Sequence, residues 1–148
     1  MEQDRNPTAR LELLACNALS RCYGLSLGEA DVRELEVCRE QALLDAGRVE
    51  FGGGVLPKLV RAFCDSPFLE QQTYVQTLAE LQEAFYYFKS ESMERFSDDE
   101  LIGFMVQIFN GRAQGSAEYL TGTSLEELCR WAREGWDPHS AAQAEDLF

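Results

Sequence analysis

Histidine is almost absent from this sequence. The one histidine, His139, follows Asp137 and Pro138 in a polar stretch at the C-terminal end. Histidine is the usual proton-transfer group near neutral pH and the commonest metal ligand. A histidine-centred site would have to be built from the chain end, so we predict no catalytic histidine, no bound metal and no cofactor.

Cysteine pairs with metal-ligand spacing are missing as well. No two cysteines are two to four residues apart, which is the spacing of structural zinc sites. Most lie among apolar residues at helical spacing, which is typical of buried thiols in a reducing cytoplasm. The five are Cys16, Cys22, Cys38, Cys64 and Cys129. Cys64 is the one candidate for a reactive thiol, because it precedes Asp65, Ser66 and Pro67 at a predicted break between helices, where solvent could reach it.

Long apolar runs and excess positive charge are also lacking. No run approaches the roughly 18 residues of a membrane span, and the polar first residues do not resemble a signal peptide. The 26 acidic and 13 basic side chains give a net charge of −13. Such a charge repels nucleic acid and anionic membranes. We therefore predict a cytoplasmic protein whose partner is another protein or a second copy, with no direct nucleic acid and no membrane.

Two glycine- or acid-rich motifs lack the residues that would make them ligand sites. The glycines at 52–54 precede a helix, but neither GxGxxG nor a lysine followed by a hydroxyl is present. Asp98, Asp99 and Glu100 lack the alternating ligands and central glycine of a calcium loop. We interpret the first as a tight turn in a Gly-rich loop near 48–54 and the second as the start of a helix.

What the sequence does contain is helix start and stop signals. They predict an all-α fold, a compact bundle of about six to seven helices. We predict a single domain over 1–148, with an ordered core of about 7–135 and a frayed tail at 136–148. Its predicted start signals are Asn6-Pro7, Ser26 with Glu29, Ser66-Pro67, Ser97 with Glu100, Ser116, and Ser124 with Glu127. Its predicted stops are Gly24, Gly47, Asn110-Gly111, Gly122 and Gly135.

Two apolar stripes matter most for the fold. In the first helix, apolar residues recur on one face at Leu11, Leu14, Ala18 and Cys22. The clearest stripe runs through Tyr74, Leu78, Leu81, Phe85 and Phe88, at spacings of four, three, four and three. It predicts a long aromatic-rich helix from Ser66 to about Lys89 at the centre of the bundle.

The aromatic run at 85–88 is the candidate for a binding surface. Since Phe85 and Phe88 occupy the core stripe, Tyr86 and Tyr87 either pack under other helices or line a groove. Tyr119, near Arg112 and Gln114, is a candidate for the same surface. The segment at 117–131 has a helix-turn-helix cadence, but its last helix opens with Leu-Glu-Glu, and acidic side chains disfavour a DNA-reading role.

Several segments taken together resemble a family of uncharacterised bacterial proteins, the domain of unknown function numbered 6323. They are GRVEFGGG at 47–54, LPKLVRAFCDSPF at 56–68, LQEAFYYFKSE at 81–91, SDDELI at 97–102 and QGSAEYLTGTSLEEL at 114–128. The resemblance covers most of the chain and implies a compact bacterial protein. It implies no activity and no functional residues.

The sequence therefore favours a non-catalytic protein-interaction module that acts through the aromatic central helix. The alternative is a small-molecule-binding protein or enzyme whose site is made by Arg61, Asp65, Tyr86 and Arg112. A third hypothesis is an acidic decoy or regulator of a nucleic-acid-binding protein, which requires carboxylates arrayed in rows on one face.

Overall fold

The described chain consists of helices joined by turns, as the computed structural model shows for residues 7–50, 54–92 and 94–134. No strand occurs in these ranges, which confirms the predicted all-α class. The chain divides into two compact units, an N-terminal unit of residues 1–83 and a C-terminal unit of residues 84–148. None of the helices in the described ranges combines the length and apolar character needed to cross a bilayer.

The N-terminal unit contains three helices and the first part of a fourth. They are α1 at Pro7–Ser20, α2 at Glu29–Ala46, α3 at Leu56–Phe63 and the beginning of α4 at Tyr74–Glu91. Short 3-10 turns lie at Arg21–Tyr23 and Gln71–Thr73. The predicted stops are confirmed, since Gly24 and Gly47 adopt the left-handed conformation with φ of 79° and 66°.

The buried face of α1 is opposite to the one that its apolar stripe marked. Leu13, Cys16, Asn17 and Ser20 are at most 5% exposed, whereas Leu11 is 67% exposed. Ala18 and Cys22 are exposed as well. The buried face points toward α3, where the Cys16 thiol lies 3.9 Å from the carbonyl oxygen of Pro57. Helix α1 is therefore apolar on two sides, and only one of them is used in the core.

Helix α2 begins at Glu29, and its N-cap is Gly28 instead of the predicted Ser26. The Gly28 N–H donates to the Asp31 carboxylate at 2.8 Å, which is the bond from the third helical residue back to the N-cap in a capping box. Ser26 lies in the preceding link, where its N–H and carbonyl both bond the Gln71 amide. On α2, Val32, Leu35 and Ala42 are buried, and Cys38 is partly exposed.

Helix α3 is short and buries one side. Leu56, Leu59, Val60 and Phe63 are buried, and Pro57 lies in the first turn, where its missing N–H has no partner in the helix. Before it, residues 48–50 form an irregular loop, Phe51, Gly52 and Gly53 lie outside the described residues, and Gly54 has a φ of 74°. A side chain at Gly54 would overlap Glu50, which is paired with Arg39 at 2.9 Å.

Helix α4 starts later than its sequence signal. Ser66-Pro67 does not cap it, because residues 64–70 form turns and irregular backbone and the helix begins at Tyr74. The Ser66 hydroxyl instead accepts a hydrogen bond from the Phe68 N–H at 3.3 Å. The stripe itself is confirmed, since all five of its residues from Tyr74 to Phe88 are at most 2% exposed.

The C-terminal unit contains the rest of α4 and a set of following helices. They are α5 at Asp98–Asn110, α6 at Ala117–Tyr119 and α7 at Leu125–Arg133. The capping box of α5 is confirmed in both directions: the Glu100 N–H donates to the Ser97 hydroxyl at 3.1 Å, and the Ser97 N–H donates to the Glu100 carboxylate at 3.0 Å. The core of this unit includes Phe96, Leu101, Met105, Ile108 and Phe109.

The predicted stop at Gly122 is wrong. Leu120–Ser124 forms a π-helical turn that joins α6 to α7. Leu120 and Leu125 are both fully buried although they are five residues apart, and a π turn brings residues of that spacing onto one face. Packing of these two leucines thus overrides the glycine. The predicted tail at 136–148, with His139, lies outside the described residues.

Candidate functional site

Arg61 and Asp65 lie at the end of α3 in the N-terminal unit. Arg61 is in the last turn of the helix and Asp65 is in the turn that follows, and both side chains are exposed. Between them, Cys64 is 2% exposed, and its thiol donates to the Arg61 carbonyl oxygen at 3.5 Å. The two charged side chains therefore lie at the surface near a buried thiol.

Tyr86 and Tyr87 have different environments. Tyr86 is 1% exposed and meets Phe85 edge to face, with ring centroids 5.4 Å apart. Tyr87 is 50% exposed and meets Phe88 edge to face at 4.8 Å. Of the two predicted alternatives, packing under other residues or lining a groove, Tyr86 adopts the first. Its predicted place on a binding surface is corrected accordingly. Tyr87 is the residue of this pair that a partner can reach.

Charged groups of α4 and α7 surround the Tyr87 ring. The Arg133 guanidinium donates to the Glu91 carbonyl oxygen at 3.0 Å and to its carboxylate at 3.2 Å. The negative charge of Glu91, with smaller contributions from burial and Glu126, raises the pKa of the Tyr87 phenol. The Tyr87 hydroxyl therefore lies in a surface of mixed charge, with the Glu91 and Glu126 carboxylates and the Arg133 guanidinium near it.

Arg112 and Tyr119 are the other two predicted surface residues of the C-terminal unit. Arg112 is exposed in the turn after α5, and Tyr119 is 39% exposed at the end of α6. Ser116 caps α6 by accepting the Tyr119 N–H at 3.1 Å. Both side chains are accessible, but they belong to different elements from Tyr87.

The buried cysteines are poor nucleophiles. Burial raises the pKa of the Cys64 thiol, and the neighbouring Asp65 carboxylate raises it further. Burial also raises the pKa of Cys16, and that of Cys129 to about 12. Because the thiolate is the reactive form, these shifts work against nucleophilic chemistry at neutral pH. Cys64 therefore has the properties of a packed thiol.

The acidic start of α5 has a structural role. Besides the Ser97–Glu100 capping box, the Asp98 carboxylate pairs with the Lys89 ammonium at 3.0 Å. Lys89 is 9% exposed and also donates to the Phe96 carbonyl oxygen. These bonds fix the loop between α4 and α5. In the described part of the chain, no group of three or more histidine, cysteine or acidic residues is arranged to hold a metal ion.

An accessible apolar feature lies on the side of α1 that faces away from the core, where Leu11 is 67% exposed and Leu19 is 44% exposed. It lies opposite the buried face, and between residues 11 and 22 its members share one side at helical spacing and carry no charge. We call it the α1 outer face, and it consists of Leu11, Ala15, Ala18, Leu19 and Cys22. Glu12 and Arg21 border it. The Cys22 thiol lies 3.8 Å from the Ala18 carbonyl oxygen, so the face continues into the 3-10 turn.

Sequence reasoning recorded an apolar stripe on this side, at Leu11, Leu14, Ala18 and Cys22, but did not single it out as a binding surface. The sequence contained a second signal. At about 100° per residue, Leu13 and Cys16 lie 200° and 140° around the helix axis from Leu11, so they mark another apolar side of the same helix. A helix that is apolar on two sides has either two buried sides or one side left for a partner. Only its packing decides between them.

The helices of the described ranges define this chain as an all-α protein. A family model matches residues 12–138, and its description is a family of unknown function, DUF6323. The chain belongs to this family. Comparison with curated proteins and with solved structures found no match.

Proposed function

We propose that this protein is a non-catalytic interaction module that acts in the bacterial cytoplasm by binding another protein or a second copy of itself. The observation that carries the proposal is the exposed α1 outer face. Leu11 is 67% exposed and Leu19 is 44% exposed, and the exposed Ala15 and Ala18 and the partly exposed Leu14 lie between them in sequence. This moves the predicted interaction surface from the aromatic helix α4 to α1.

The arrangement of these residues is what favours a partner. Single exposed hydrophobic residues are normal on any protein surface, whereas a contiguous apolar patch marks an interaction site. On α1, five apolar residues share one side over three helical turns, and none of them is charged. An amphipathic helix would place polar residues there. Burial against a partner removes this apolar area from water.

The chemistry of the rest of the described chain is consistent with a non-catalytic role. The carboxylates that begin α5 are used for capping and for the pair with Lys89. Burial raises the pKa of Cys16, Cys64 and Cys129, which suits thiols that serve as packing groups in a reducing compartment. The net charge of −13 favours a protein partner over nucleic acid or an anionic membrane.

Two other hypotheses receive less support. The small-molecule site needs Tyr86, whose side chain is 1% exposed and packed on Phe85. The acidic decoy needs rows of carboxylates, but the outer side of α2 interrupts Glu34 and Asp45 with the exposed Val37 and Leu44. We therefore keep the interaction module as the proposed function.

The test is capture of partners from native lysate at low salt with three forms of the protein: wild type, Ala18→Glu and Ala30→Glu. Both alanines are exposed and helical in the N-terminal unit, so the two variants carry the same chemical change. We expect Ala18→Glu to lose a partner, whether a different protein or a second, differently tagged copy, that wild type and Ala30→Glu retain. Capture of identical material by all three forms would contradict the proposal.

A further inference from the structure

We draw no further inference here: the strongest candidate, the half-exposed Tyr87 ring beside the Glu91–Arg133 ion pair on the surface of α4 and α7, carries nothing, because charged groups of both signs border the ring and nothing in the structure shows what covers it.

Discussion

Tyr74 is a fully buried phenol at the start of α4. Burial raises its pKa from 10.0 to about 12, Cys64 acts in the same direction, and the neighbouring Ser20 hydroxyl acts in the opposite one. Between these two values the unfolded chain releases the phenol proton while the folded chain retains it. The folded state then binds more protons, so its stability decreases as pH rises through this range.

We therefore predict that Tyr74→Phe weakens the alkaline destabilisation of the protein. Between about pH 8 and about pH 11, the free energy of unfolding of wild type should fall by about 1 kcal/mol more than that of the variant. Urea denaturation at both pH values measures this difference. The control is Tyr23→Phe, since Tyr23 is 53% exposed. Equal losses in wild type and Tyr74→Phe would contradict the prediction.

At the scale of elements, the extended link between α1 and α2 is held by two amide side chains. Asn17 bonds the Leu27 backbone twice, accepting from its N–H and donating to its carbonyl, both at 2.7 Å. Gln71 does the same to Ser26, at 2.8 and 3.1 Å. The chemistry is identical, but Asn17 is 5% exposed and Gln71 is at the surface. The pair therefore offers a matched comparison of buried and exposed bonds.

We predict that Asn17→Asp destabilises the protein by about 2–3 kcal/mol, because the Leu27 carbonyl loses its donor and faces a buried carboxylate. Gln71→Glu should cost less than about 1 kcal/mol, since water replaces the lost donor at the surface. Denaturant unfolding of both variants gives the comparison. Similar losses would mean that burial does not control the strength of this link.

At the scale of the whole molecule, the net charge of −13 sets how self-association responds to salt. Two acidic copies repel over a Debye length of about 10 Å at 0.1 M salt, whereas the α1 outer face is apolar. Where the partner is a second copy, we predict that raising salt from about 0.02 M to about 0.3 M strengthens dimerisation. Sedimentation at both salt concentrations measures the strength of dimerisation. Weaker association at high salt would indicate that ion pairs, and not the α1 outer face, hold the copies together.

Local signals account for the part of the fold that was predicted. Left-handed glycines at Gly24 and Gly47 end their helices, and the Ser97–Glu100 capping box begins α5, because these effects involve only neighbouring residues. The prediction of one domain stays a prediction. The errors at Ser26, Ser66 and Gly122 occur where distant contacts compete, as at Ser26, whose backbone bonds Gln71.

The amino-acid sequence by itself determined the helical class, the family, the acidic charge and the buried stripe from Tyr74 to Phe88, because periodicity and composition are properties of the chain. It also showed an apolar stripe on α1, but not that the opposite side of this helix is the buried one. Only the tertiary structure decided that the α1 outer face remains exposed and that Tyr86 is enclosed while Tyr87 is not. Burial depends on which side of a helix its neighbours occupy, and α3 packs on the side of α1 that carries Cys16.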